Sequence, residues 1–141
     1  MRSGAWRRVQ GFTLVELCVV LAMTGVLATI AWPSMQGYLQ RSRRADAVAA
    51  LMRVQLAQES YHAHHGLYAA QLAGLQGASS TQSREGRYDI DLVGDGPHRY
   101  EARATARAGS LAAGDPACKV LSLQVRDGLA EFAPSARCWN R

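Results

Sequence analysis

The sequence predicts an α+β protein in which a long N-terminal helix packs on a three- to four-stranded antiparallel sheet. Three observations support this fold class. An apolar run occupies residues 12–32, an apolar periodicity of three and four residues continues to His65, and segments with alternating apolar side chains follow residue 88. The chain has 141 residues, of which 48% are hydrophobic and 19% charged, so it is too apolar for a disordered chain and long enough for one packed domain.

The apolar run at residues 12–32 is the first element, and Glu16 is its only charge. As a helix this run would span about 30 Å, the thickness of a bilayer core, which predicts a transmembrane helix. The alternative is a cleaved secretory signal with a mature start at Trp32, but the run is long for a signal and carries a carboxylate. A carboxylate in hydrocarbon costs about 2.5 to 3.5 kcal/mol, so Glu16 requires a partner, a protonated state or a shallow position.

The heptapeptide GFTLVEL at residues 11–17 lies between a short basic leader and the apolar run. This arrangement resembles the cleavage and methylation motif of type IV prepilins. The resemblance implies cleavage after Gly11 by a prepilin peptidase, N-methylation of Phe12, and a Glu16 that meets the N-terminal amine of a neighbouring subunit during assembly. It also implies that the helix loosens between Gly25 and Pro33 in the filament, and Pro33 removes a backbone donor in any case.

These features divide the chain into a prepilin leader at residues 1–11, a transmembrane and filament-core helix at 12–33, and a periplasmic domain at 34–141. Within that domain, we expect one bent helix to continue to about residue 65. Its apolar stripe is predicted to consist of residues that recur in steps of three and four, namely Ala45, Val48, Ala49, Met52 and Leu56.

Gly66 predicts the C-cap of this helix, with His62, His64 and His65 in the last turn, where the helix dipole favours positive charge. His62 and His65 share a face and could hold a metal ion, but no fourth ligand lies nearby in the sequence. We therefore favour a capping or solvent-exposed role and predict no metal site. Residues 66–87 are rich in Gly, Ala, Ser and Gln, which predicts a surface loop.

The sheet is predicted over residues 88–141 as an antiparallel meander. Apolar side chains alternate from Tyr88, again from Tyr100 and again from Leu121, and the pair Asp127-Gly128 predicts a hairpin before the last strand. The aspartates at 89, 91 and 95 do not fit a calcium-loop pattern, and we assign them to the wet face of a strand and the turn after it.

The net charge of +5 falls to +2 without the first eleven residues, which contain three arginines and no acid. Arg99, Arg103 and Arg107 could form a basic stripe for DNA, but Glu101 interrupts it. A solvated strand face is therefore the favoured interpretation, and DNA is the weaker candidate partner.

Cys118 and Cys138 resemble the disulfide-bounded region of small type IV pilins. The resemblance implies that they pair in the oxidising periplasm while Cys18 stays free. We find no nucleophile-and-base pair, P-loop or metal constellation in the sequence, so we expect no enzyme activity, no catalytic residue and no cofactor.

The resemblance as a whole implies a structural subunit of a type IV pilus, small or minor, that is held in the inner membrane and then assembled into an extracellular filament. The implied partners are other pilin subunits, the prepilin peptidase and methylase, the pilus assembly platform and the inner membrane. Two alternatives stay open: a DNA-receptor pilin for natural transformation and a pseudopilin of a type II secretion system.

Overall fold

The computed structural model describes residues 11–140. Helix α1 spans Leu14–His65, and four strands follow it: β1 at Tyr88–Gly94, β2 at Arg99–Ala106, β3 at Val120–Arg126 and β4 at Leu129–Ala133. Each strand pairs antiparallel with the next in the order β1-β2-β3-β4. The predicted α+β fold with its antiparallel meander is confirmed. The chain divides into two units, one ending at Gly37 and the other starting at Tyr38, and the sheet belongs to the second.

The inner face of the sheet follows from the period of two in each strand. Buried and exposed residues alternate along the first six residues of β1, with Tyr88, Ile90 and Leu92 inside. In β2 the inner residues beyond Tyr100 are alanines, and Ala102 pairs with Leu123 of β3 in the register. One apolar core joins the helix to all of these residues.

The face of α1 that packs on the core is not the predicted apolar stripe. The prediction was wrong because a neighbouring face of the same helix is buried. Ala45, Ala49 and Leu56 are exposed, while Val48 and Met52 only flank the core. The residues that are buried instead are Ala47, Ala50, Leu51, Val54 and Gln58. The error arose because the buried face contains a glutamine and small alanines, so the larger apolar side chains of the neighbouring face gave the stronger periodic signal.

The predicted end of α1 at Gly66 and the predicted hairpin at Asp127-Gly128 are both confirmed. Gly66 has a φ of 71° and its N–H donates to the carbonyl of His62 at 2.8 Å, which ends α1 at a left-handed residue. Asp127 and Gly128 have φ values of 50° and 80°. Two successive residues of positive φ match the twist of the strands that they join, so these two close the β3–β4 hairpin.

Residues 67–87 have irregular backbone with one short 3₁₀ turn at Leu72–Gly74, as expected of a loop. The segment is not simply a solvent-exposed loop, however. It buries Tyr68, Leu72 and Leu75 in the core, and its last part runs along the free edge of β1, where the N–H of Ile90 donates to the carbonyl of Thr81 at 2.8 Å. These apolar side chains do not recur with the period of a helix or a strand, so the sequence did not predict that they are buried.

Candidate functional site

The predicted processing junction lies just before the start of α1. Gly11, Phe12 and Thr13 precede the helix and are exposed, Phe12 to 87%. The rest of the leader lies outside the described residues. The Thr13 hydroxyl accepts a hydrogen bond from the N–H of Glu16 at 3.2 Å, so Thr13 caps α1. The junction is therefore an accessible, non-helical peptide attached directly to a helix.

Glu16 lies in the first turn of α1 and is exposed. Its position three residues after the capping Thr13 is that of the acid in a capping box, and the helix dipole favours a carboxylate there. None of the ion pairs within residues 11–140 includes Glu16. No cation of the described chain therefore neutralises this carboxylate.

The apolar run is exposed throughout. An 18-residue window of α1 has a mean hydropathy of 2.3, and none of it is buried. Two of the three threonine hydroxyls in the run donate to backbone carbonyls, Thr24 to Val20 at 2.8 Å and Thr29 to Val26 at 2.7 Å, so these two donors are both satisfied within the helix. The helical assignment continues through Gly25 and Pro33. The loosening of this stretch concerns an assembled filament and stays a prediction.

A disulfide joins Cys118 and Cys138, 20 residues apart, and both are buried; Cys18 is a free, exposed thiol. The bond holds the C-terminal segment beside the last strands. Trp139 adds to this attachment, because its Nε1 donates to the carbonyl of Ala133 at 2.9 Å and its ring meets Phe132 edge to face at 4.8 Å.

A buried ion pair that the sequence did not indicate ties two distant segments to α1. Arg44 contacts Asp115 at 2.5 Å, with 4% and 11% of the side chains exposed. The same guanidinium donates to the carbonyl of Arg137 at 3.1 Å. One helix residue therefore anchors both the loop before Cys118 and the segment that contains Cys138.

A second buried polar contact fixes the end of the 67–87 segment. The Ser83 hydroxyl donates to Asp46 at 2.6 Å and accepts from the backbone N–H groups of Arg87 and Tyr88 at 3.1 and 3.0 Å. Because Asp46 belongs to α1, this contact sets the position of residues 83–88 relative to the helix.

The arginines of the predicted stripe each have an acidic neighbour. Arg103 donates two bonds to Glu101, at 2.8 and 2.6 Å; Arg107 lies 3.3 Å from Asp89 and Arg99 lies 3.9 Å from Asp95. The bond from Arg103 is the main cause that lowers the pKa of Glu101 below its ordinary value. This face of the sheet is therefore solvated and charge-compensated, which agrees with the favoured interpretation.

Two other arginines, Arg53 and Arg84, line a groove of about 410 Å³ between α1 and the 67–87 segment. Both are exposed, and neither belongs to an ion pair within residues 11–140. The described lining contains no carboxylate and includes Gln82, whose side-chain amide can donate hydrogen bonds; the Ser80 hydroxyl already donates to the Gln82 carbonyl at 2.8 Å. Sequence reasoning missed this site because Arg53 and Arg84 lie 31 positions apart and neither extends a basic run.

Across residues 11–140, no group of three or more His, Cys, Asp or Glu side chains has a geometry that could hold a metal ion. Asp89 and Asp91 are exposed on the wet face of β1, where they were predicted.

The comparisons with known proteins agree with these features. A family model described as "Type IV minor pilin ComP, DNA uptake sequence receptor" matches residues 33–122, and a model of the prokaryotic N-terminal methylation motif matches residues 6–32. The type IV major pilin PilE of Neisseria gonorrhoeae is 33% identical over 79 residues, which cover 56% of this chain and 47% of PilE. A fimbrial protein of Pseudomonas aeruginosa is 37% identical over 84 residues, which cover 60% and 49%.

The chain spans about half the length of the curated relatives it matches. The first family model, however, covers more than half of this chain. The chain therefore belongs to the type IV pilins, in the minor-pilin family that this model describes.

Proposed function

We propose that this chain is a structural subunit of a type IV pilus, used as a minor pilin. The observation that carries the proposal is the exposed apolar half of α1, which lies within the match to the methylation-motif model at residues 6–32. Covering one large apolar side chain is worth about 1.5 to 3 kcal/mol, so a surface of this kind does not stay in water. Lipid covers it first, and the helices of other pilins cover it in the filament.

The same proposal assigns the processing steps. A prepilin peptidase cuts between Gly11 and Phe12, and the new amine of Phe12 is methylated. The exposure of this junction, which precedes the first helical residue, supports the assignment. In the filament, Glu16 pairs with the N-terminal amine of a neighbouring subunit, because an isolated charge in a dry helix bundle would be costly.

Before assembly, the subunit crosses the inner membrane once, with its C-terminal domain in the periplasm. The Cys118–Cys138 bond supports this placement, since disulfides persist in the periplasm and not in the cytosol. The pilus assembly platform then extracts the subunit into the extracellular filament. The pilin names of the relatives support this role over that of a secretion-system pseudopilin.

A second apolar surface of α1 supports assembly as well. Ala45, Ala49 and Leu56 lie on the helix face opposite the core, with Leu56 74% exposed and the edge of Met52 beside them. These side chains form a narrow apolar patch around the exposed Arg53, which lies four residues after Ala49 and three before Leu56 on the same face. We assign the outer face to contacts with neighbouring pilins.

Peptide analysis of sheared filaments tests this function. We expect the subunit in the filament fraction with a mature start at N-methyl-Phe12. Gly11→Leu, which places a bulky side chain at the junction, should leave the uncleaved chain in the membrane fraction. A mature start at Trp32, or full processing with no recovery from filaments, would contradict the proposal.

A second candidate function is that of a DNA receptor on the pilus, favoured by the description of the matching family and by the groove between Arg53 and Arg84. Uncompensated arginines beside the Gln82 side-chain amide suit backbone phosphates. The stripe on β2 is less suited, because Arg103 already donates twice to Glu101.

Fluorescence anisotropy of the full chain in detergent with labelled duplex DNA tests the receptor function. The double variant Arg53→Ala/Arg84→Ala should weaken binding and reduce the slope of log K against log salt by about 2, one unit for each lost phosphate contact. The matched control Arg103→Ala/Arg126→Ala removes the same charge from β2 and β3 and should leave the slope unchanged. Equal losses in both variants would show only a general effect of charge.

A further inference from the structure

We propose that a basic patch on the globular domain docks on the surface of a membrane that contains anionic phospholipids, before the subunit enters a filament. The patch consists of Arg41, Arg43, Leu111 and Arg137. This contact rests on the membrane anchor proposed above for α1, and it goes further because it assigns a lipid surface to the domain itself. The group that the patch recognises is the phosphate of the lipid headgroup.

Hydrogen bonds bring the patch together from three segments of the chain. Arg43 of α1 donates through Nη1 to the carbonyl of Leu111 at 3.1 Å. The guanidinium of Arg44, the next residue, donates to the carbonyl of Arg137 at 3.1 Å. The loop at residue 111 and the C-terminal segment therefore both lie against the same turn of α1.

The three arginines of the patch have no acidic neighbour that neutralises them. None of the ion pairs within residues 11–140 includes Arg41, Arg43 or Arg137. Arg41 and Arg137 are exposed, and Arg43 is half-buried. The carboxylates of Asp46 and Asp115 are buried and already bonded to other side chains. Among the described residues, the patch therefore carries an uncompensated positive charge.

Apolar side chains accompany these charges. Leu111 is exposed beside Arg43, although its carbonyl is hydrogen-bonded. Surfaces that bind an anionic bilayer combine both features, because the apolar group enters the boundary of the headgroups while the cations meet phosphates. Tyr38 is exposed about one turn before Arg41, and tyrosine is enriched at membrane interfaces.

The chain keeps the patch within reach of the bilayer. Arg41 follows Trp32, the end of the apolar run, by nine positions, which a helix covers in about 14 Å. The headgroups extend roughly 5 to 7 Å beyond the hydrocarbon, and long arginine side chains on a helix reach back toward its N-terminus. Once the anchor is inserted, the domain stays beside the membrane, so even three arginines meet a high local concentration of lipid phosphate.

Paramagnetic NMR on the full chain in lipid nanodiscs tests this docking. The discs contain phosphatidylcholine, with or without phosphatidylglycerol, and a trace of lipid whose headgroup carries a gadolinium chelate. The amide signals of Leu111 and Arg137 should be broadened at least twice as strongly in the anionic discs, and high salt should remove this gain. The signal of Gly66, about 35 Å further along α1 than Arg43, should not respond to lipid charge.

A pair of variants with equal loss of charge separates the patch from net charge. Arg41→Gln/Arg137→Gln leaves the bond from Arg43 in place and should remove the gain in anionic discs. The matched control Arg99→Gln/Arg126→Gln changes two exposed arginines that face each other on β2 and β3, and it should keep the gain. The comparison of the two disc types uses the unaltered chain, so it stands even if a variant fails to fold.

Equal broadening in both disc types, a gain that survives in Arg41→Gln/Arg137→Gln, or an equal loss in the control would overturn the docking. If the gain survives in that variant but the variant is poorly recovered from sheared filaments, the patch belongs to a contact with another pilin instead. Failure of the chain to enter discs of either composition would contradict the membrane anchor and the docking together. Entry into both without a response to lipid charge would contradict the docking alone.

Discussion

Removal of the Asp115 carboxylate should be among the most damaging single changes to the globular domain. In Asp115→Ala, the Arg44 guanidinium would stay 4% exposed and keep only its bond to the carbonyl of Arg137. A buried charge that loses its partner costs about 3 to 5 kcal/mol. Small domains are stable by roughly 5 to 15 kcal/mol, so the loss would be a large share of the total.

Urea unfolding of the full chain in detergent, followed by near-ultraviolet circular dichroism, measures this loss. The control is Glu85→Gln, which breaks an ion pair with Arg87 of similar length, 2.6 Å, whose side chains are 30% and 52% exposed. Exposed pairs contribute about 0 to 1 kcal/mol, so this variant should resemble the wild type.

The double variant Arg44→Met/Asp115→Ala separates the pair from its surroundings. Because no buried charge is then left without a partner, the double variant should lose clearly less than the two single variants combined. A loss under about 1 kcal/mol for Asp115→Ala, or simple additivity of the two single losses, would refute the reasoning.

Three further predictions concern other residues. Tyr100→Phe should stabilise the domain by about 1 kcal/mol in thermal unfolding, because the Tyr100 hydroxyl is buried and has no hydrogen-bond partner within residues 11–140. Burial raises the pKa of Tyr100 above its ordinary 10.0, so the unfolded chain loses this proton before the folded chain does. The free energy of unfolding should therefore be unaffected by this group below pH 10 and should fall as the pH rises further, and Tyr100→Phe should reduce that fall. Cys118→Ser/Cys138→Ser should cost about 3 kcal/mol in urea unfolding for a loop closed over 20 residues, and unchanged stability would contradict this. Glu16→Ala should insert into the membrane normally yet enter sheared filaments poorly, and wild-type incorporation would count against its pairing role.

The elements that could be predicted are those whose signals are local. The end of α1 at Gly66 and the hairpin at Asp127-Gly128 follow from residues that tolerate a left-handed backbone. The strands follow from strict alternation, including β2, whose alanines and arginines also suit a helix. Alternation prevailed there because β1 and β3 supply pairing partners on both sides.

What could not be predicted depends on partners far along the chain. Gln58 is buried because its amide both accepts from and donates to the backbone of Ala69, at 2.8 Å each. Arg44 is buried because Asp115 reaches it across 71 positions. A polar residue on a helix is normally assigned to the wet face, so each of these shifted the predicted stripe away from the real one.

The same polar contacts bear on how the candidate groove is built. Asp46 of α1 accepts from the Ser83 hydroxyl and, at 3.2 Å, from the N–H of Glu85, so it holds the backbone on both sides of Arg84. Arg53 lies on the same helix two turns further on. Because one rigid element fixes both arginines, their spacing is set by the fold and not by flexible side chains alone. The fold thus fixes the backbone positions of the pair, while a charged ligand would still have to order both exposed side chains. The arginines of the predicted stripe differ because each already has an acidic neighbour.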